Sequence, residues 1–146
     1  MSNHPVIYPI NQTVLATIAS ARDPTKPVYM LNLWRFRPNA VYSPAYAHLS
    51  SDPCTGREAT ERYRAAIAPI LPPGAAVHFQ GNVEGWVAGP DSAGWDLVVI
   101  VRYETLQGFR DMVEAKKYRE EVEPHRLAGL EEWRLVAMDG VGGVGF

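Results

Sequence analysis

Nine residues, WDLVVIVRY from Trp95 to Tyr103, constrain what this chain can fold into more than any other stretch. Side chains alternate along a strand, so Leu97, Val99 and Val101 point to one face and Val98 and Ile100 to the other. Both faces are therefore apolar, which is the pattern of a strand inside a sheet that is covered on both sides. Two amphipathic helices are legible as cover. One opens at Thr55, with Glu58 completing a capping-box spacing, and carries Tyr63, Ala66, Ile67 and Ile70 on one stripe. The other opens at Thr105 and carries Leu106, Phe109, Met112 and Val113. If both helices lie on one face, the other face needs a second layer, and a second copy of the chain is the simplest. A homodimer packed sheet on sheet is the expectation.

The remaining pattern places these elements in order. Residues 11–21 suit a short helix capped by Asn11 and ended by Asp23-Pro24. Val28 to Arg37 reads as a strand stopped by Pro38, and 38–54 as a long loop, either a functional lid or disordered. A second strand is expected over Ala76–Val83 and Gly85–Ala88, bulged or broken at Gly81 or Gly85. A short helical turn near Pro124–Leu130 and a last strand, Glu132–Met138, follow. After the added N-terminal helix the order is β-α-β-β-α-β. That is an α+β chain of the ferredoxin-like kind, with a four-stranded antiparallel sheet. The division expected is an N-terminal extension over 1–26, the domain over 27–139 and a Gly-rich tail over 140–146.

Composition closes off several classes of function. The formal net charge is -2 and the 14 Lys and Arg are scattered, so no field draws nucleic acid or an anionic membrane. The longest apolar run, Leu97–Val101, is far short of the roughly 20 residues that span a bilayer. MSNHPVIYPINQ lacks the features of a signal peptide. Cys54 is the only cysteine, which suits a reducing, cytoplasmic setting. The four His and one Cys show no metal-ligand spacing, and GVGGVGF precedes no helix and so makes no phosphate loop. Neither a metal nor another cofactor is expected.

The runs YMLNLWRF, GREATERYRAAIAPIL, WDLVVIVRY and HRLAGL, in that order, resemble a family of bacterial proteins known only as a domain of unknown function. That family is placed in the dimeric α+β-barrel superfamily, beside the antibiotic-biosynthesis monooxygenases and the EthD-like proteins. The resemblance spans about Val28 to Met138. It implies a dimeric barrel with a pocket between helices and sheet. It also implies action on small aromatic, polyketide-like or lactone compounds, often without a metal or prosthetic group.

Within the strand Val28–Arg37, Asn32 falls on the apolar face with Val28, Met30, Trp34 and Phe36. A buried amide left unpaired costs about 1–3 kcal/mol, so it meets either a structural partner or a ligand oxygen. Arg35 on the opposite face either pairs with Glu58 or Asp96 or binds an anionic substrate. Arg102 is a salt-bridge member or an anchor for a substrate oxygen. His125, at the edge of the helix–sheet cleft, is the candidate acid or base, with a partly exposed structural histidine as the alternative. Arg126 adjoins it. Trp34, Tyr63 and Trp86 supply apolar walls, and His78 faces either the pocket or the dimer. Together these residues suggest a cofactor-independent enzyme, an isomerase, cyclase or monooxygenase-like protein, acting on a small apolar oxygenated compound. A non-catalytic dimer that binds a small molecule or a protein is the alternative.

Overall fold

A computed structural model describes residues 7–50, 52–91 and 94–141. Helix α1 (Gln12–Ala21) is capped by Asn11, whose side chain accepts from the Val14 N–H at 3.0 Å. Strand β1 is Val28–Phe36, α2 is Gly56–Ile67, β2 is Ala76–Asn82 and β3 is Leu97–Tyr103. Helices α3 (Leu106–Glu114) and α4 (Glu123–Gly129) precede β4 (Leu130–Met138). Short 3-10 turns cover Pro44–Leu49 and Ala68–Ile70, and a π-turn covers Tyr118–Val122.

The four strands form one antiparallel sheet in the order β2-β3-β1-β4. The α2 capping box closes as its spacing requires. Thr55 Oγ1 accepts from the Glu58 N–H at 3.1 Å, and Glu58 Oε1 accepts from the Thr55 N–H at 2.9 Å. Helix α3 buries the four apolar residues its periodicity singles out. Between α3 and α4 the regular turn is interrupted, because Pro124 in the first turn of α4 has no N–H to donate back.

Three expectations need correction. Gly85–Ala88 is not a strand: Val83 N–H donates to the Asp96 carbonyl at 2.9 Å, closing the root of a loop in which Val87 is fully exposed. The register shift in β2 falls between Val77 and Phe79, leaving His78 as the extra residue, and not at either glycine. The segment after β1 is pinned rather than loose. Ala40 N–H donates to Cys54 O and Val41 N–H to Ala128 O, both at 2.9 Å. Of the expected Gly-rich tail, 142–146 lie outside the described residues.

The inner sheet face carries Val28, Met30 and Trp34 of β1, Leu97, Val99 and Tyr103 of β3, and Leu130 and Trp133 of β4, all buried. Cross-strand register puts Leu31, Leu33, Val98, Ile100 and Val136 together on the outer face, with Phe79 beside them. Phe79 is 56% and Val136 44% exposed there.

Candidate functional site

The inner face does not close completely. A cavity of about 200 Å³ lies between α2, α3 and the sheet. Its wall combines aliphatic side chains from Ile67, Leu71, Val99 and Val101 with the rings of Trp34, Tyr63, Tyr103, Tyr118 and Trp133. Asn32 reaches it from the middle of β1.

Asn32 is anchored from several sides. Its Nδ2 donates to the Val99 carbonyl at 3.2 Å and to the Met30 carbonyl at 3.4 Å. Its Oδ1 accepts from Trp133 Nε1 at 3.1 Å. Both amide hydrogens are thereby spent on main-chain oxygens, so this side chain holds Trp133 in the cavity wall and has no donor left for a ligand.

The phenols supply what the amide does not. Tyr63 of α2 and Tyr118 of the π-turn bring their hydroxyl oxygens to 3.0 Å, each donating or accepting, with their rings edge-on. Burial pushes the Tyr63 hydroxyl well above its ordinary pKa, with the Tyr118 phenol adding to the shift, so it stays protonated. Burial raises Tyr103 as well.

Behind these rings lies Arg126, 1% exposed, its guanidinium 3.7 Å from the Trp133 ring centroid. Arg126 Nη2 donates to Glu123 at 3.0 Å, while Nε and Nη1 have no hydrogen-bond partner. Burial opposes its charge, but the neighbouring Tyr118, Tyr63 and Glu123 outweigh that and raise its pKa further. Trp34 is 3% exposed and stands edge-on to Tyr63, their centroids 6.0 Å apart. Its Nε1 is buried without a partner.

Other expected site residues fall elsewhere. His125 does not line this cavity. It is 8% exposed, beneath the 38–54 segment, with Nδ1 2.6 Å from the Tyr42 hydroxyl. Burial and then the Arg62 charge hold its pKa below the usual 6.5. Arg102 pairs with Glu104 at 3.0 Å. Arg35 is bound to Glu132 and lies 3.6 Å from Glu131, rather than to Glu58 or Asp96; the Asp96 carboxylate instead accepts from the Phe36 N–H at 2.8 Å. His78 lies edge-on against Tyr29, their centroids 5.0 Å apart, beside Ile100 and Met138. Trp86 sits on the loop between β2 and β3, where Gly89 packs on its indole. The structure thus joins Asn32, Trp34 and Tyr63 around one space, sets Arg126 behind its wall and leaves the other five outside it.

Sequence reasoning missed Tyr118, Trp133 and Tyr42. Tyr118 lies in the polar run KKYREEVEPHR, where the π-turn breaks the period that would have marked it as inward-facing. Trp133 had a usable signal: it lies on the same face of its strand as Leu135 and Ala137, both core neighbours.

Fold and cavity define an α+β protein with one four-stranded antiparallel sheet and helices enclosing a small apolar space. No family model and no curated protein matches the chain. Two solved structures do. The crystal structure of methylated RPA0582 protein is 34% identical, covers 94% of this chain and 96% of that one, and has a TM-score of 0.77. A second structure, of RPA0582 from Rhodopseudomonas palustris, a protein of unknown function, is also 34% identical with a TM-score of 0.77. It covers 95% of this chain and 99% of that one. The chain belongs to the family of RPA0582. Among the described residues no group of His, Cys, Asp or Glu could hold a metal ion, and no helix is long and apolar enough to cross a membrane.

Proposed function

We propose that this chain is a small-molecule enzyme of the dimeric α+β-barrel kind, isomerase-, cyclase- or monooxygenase-like, with its ligand in the helix–sheet cavity. The observation that carries the reading is the phenol pair, Tyr63 and Tyr118, in the wall of an otherwise largely apolar space of about 200 Å³. Such a space takes a small, mostly apolar compound, and a few convergent polar groups fix its orientation. A protonated phenol beside a guanidinium acts as a hydrogen-bond donor, stabilising charge that develops on a carbonyl or enolate oxygen. In this reading Tyr63 and Tyr118 polarise the oxygen, Trp34 and Trp133 hold the ring, and Asn32 and Arg126 hold the two tyrosines' surroundings in place. His125 with Tyr42 is separate from the ligand.

The β2-β3-β1-β4 order and the connecting helices fit the ferredoxin-like arrangement. Its apolar outer face is suited to a second copy packed sheet to sheet, with the 12–21 helix as an addition to the shared domain. A second reading, a ligand-binding dimer without catalysis, has one observation in its favour. The elevated Tyr63 hydroxyl is a poor base near neutral pH, where proton transfer works best with a matched pKa.

The test is ligand-observed NMR against a panel of small aromatic ketones and lactones, with Val101→Phe to fill the cavity. Binding by the native chain and its loss in a folded Val101→Phe variant support the site; equal binding by both excludes it. Tyr63→Phe and Tyr118→Phe then separate the readings. If panel members are turned over and either variant removes turnover while keeping binding, the chain is an enzyme. Binding without turnover points to the carrier.

A further inference from the structure

Every polar atom of Asn32 and the Trp133 indole is committed to a partner, yet the neighbouring Trp34 Nε1–H is not. Leaving a buried donor without an acceptor costs about 1–3 kcal/mol, and native interiors contain few such groups. Trp34 is fixed by its edge contact with Tyr63 and its place near the end of the β1 register, opposite Leu97 on one side and Trp133 on the other. It cannot leave the wall without opening the core. Its ring borders the cavity together with the phenol pair.

The cavity's charge balance narrows the ligand further. The Arg126 charge behind the wall is already matched by Glu123 at 3.0 Å. Arg64 at the rim is bound to Gln80 Oε1 at 2.6 Å. Gln80 is neutral, so Arg64 keeps its charge at the rim; deeper in, the described lining is aliphatic, aromatic or amide, and an anion there would lose its hydration with no counter-charge beside it. A space of about 150 Å³ lined by aliphatic and aromatic groups holds benzene, so one of about 200 Å³ suits roughly eight to ten heavy atoms.

We infer that the natural ligand is a neutral, single-ring-sized apolar compound with one carbonyl-type oxygen, and that Trp34 Nε1–H donates to that oxygen. This rests on the cavity being the ligand site, as proposed above, and adds the ligand's charge, size and acceptor. A donor placed this way favours a ligand that accepts over an isostere that does not, because the isostere leaves the indole unpaired.

Three probes of one shape test it. Acetophenone carries a neutral acceptor, α-methylstyrene replaces that oxygen with a methylene, and benzoate adds a charge. Titrations followed by the tryptophan indole N–H signals of the 15N-labelled chain read both affinity and the contact. Trp34→Phe assigns the Trp34 signal; if that variant does not fold, Trp86→Phe and Trp95→Phe narrow the assignment by difference. The expected result is acetophenone binding at least about twofold tighter than α-methylstyrene, the ratio that a net hydrogen bond of about 0.5–1.5 kcal/mol gives at its low end. Acetophenone also moves the Trp34 N–H proton downfield, and benzoate binds more weakly than either. In folded Trp34→Phe the preference for acetophenone disappears. Equal binding of the two neutral probes, or no movement of the Trp34 signal, overturns this inference while leaving the cavity reading intact. Tightest binding by benzoate overturns the neutral-ligand assignment. No binding by any probe removes both.

Discussion

Replacing Asn32 by Leu keeps the branching and the number of heavy atoms and removes every polar contact the amide makes. The two shorter bonds, to the Val99 carbonyl at 3.2 Å and from Trp133 Nε1 at 3.1 Å, contribute about 1 kcal/mol each. Trp133 Nε1, buried with its indole, then has no acceptor, which adds about 1–3 kcal/mol. A leucine facing the cavity recovers about 1 kcal/mol of apolar burial. The net expectation is a loss of about 2–4 kcal/mol, or a fall in Tm of roughly 5–15 °C for a chain of this size. Urea unfolding of Asn32→Leu, Trp133→Phe and the double variant measures it, because Trp133→Phe removes the donor that the leucine would strand. The loss on Asn32→Leu should shrink by about 2 kcal/mol or more in the Trp133→Phe background. An unchanged loss in both backgrounds, or a single variant within about 0.5 kcal/mol of the native chain, would refute the claim that this amide is there to hold the indole.

Three further outcomes are expected. In Gly129→Ala the new Cβ would lie 2.6 Å from the Gly56 carbonyl oxygen and 3.0 Å from the Ala59 Cβ. Helices α2 and α4 must part, at about 1–3 kcal/mol in thermal or urea unfolding; a neutral variant shows that they do not press together there. His125 has a folded pKa below the unfolded value of about 6.5, so the unfolded chain takes up that proton first. Its contribution is complete above about pH 6.5 and fades as pH falls toward the folded value, so stability should drop over that range and His125→Gln should flatten the drop. A native slope equal to the variant's removes His125 as its source. Sedimentation equilibrium at micromolar concentration should give two chains per particle, and replacing Leu31 and Ile100 by Lys should give folded single chains. A single folded chain in the native protein excludes the sheet-to-sheet dimer.

The sheet was legible because its cause is local. Period-two apolar runs and side-chain caps at Asn11, Thr55 and Thr105 specify strands and helix starts within a few residues, and the structure forms all three caps. The strand order was implied by the order of the elements rather than by any single residue. The second half of β2 misled because Val83 and Val87 look like strand residues, while their pairing depends on where Asp96 returns to close the loop.

The site was legible only in part. Asn32 was recognisable as an amide needing partners, since polarity on an apolar face is visible in the sequence. Those partners lie 67 and 101 positions away, and nothing local encodes them. His125 looked attractive because it adjoins the last strand, but a residue's side of a helix depends on its phase. The π-turn before α4 resets that phase, bringing Tyr118 to the cavity and His125 to Tyr42.

The most direct test of the central claim is a crystal structure of the chain grown with acetophenone. The account predicts density for one molecule between α2 and the sheet, its oxygen within about 3 Å of Trp34 Nε1 or the Tyr63 hydroxyl. A cavity filled by repacked side chains, or the ketone found only on the outer surface, would contradict it.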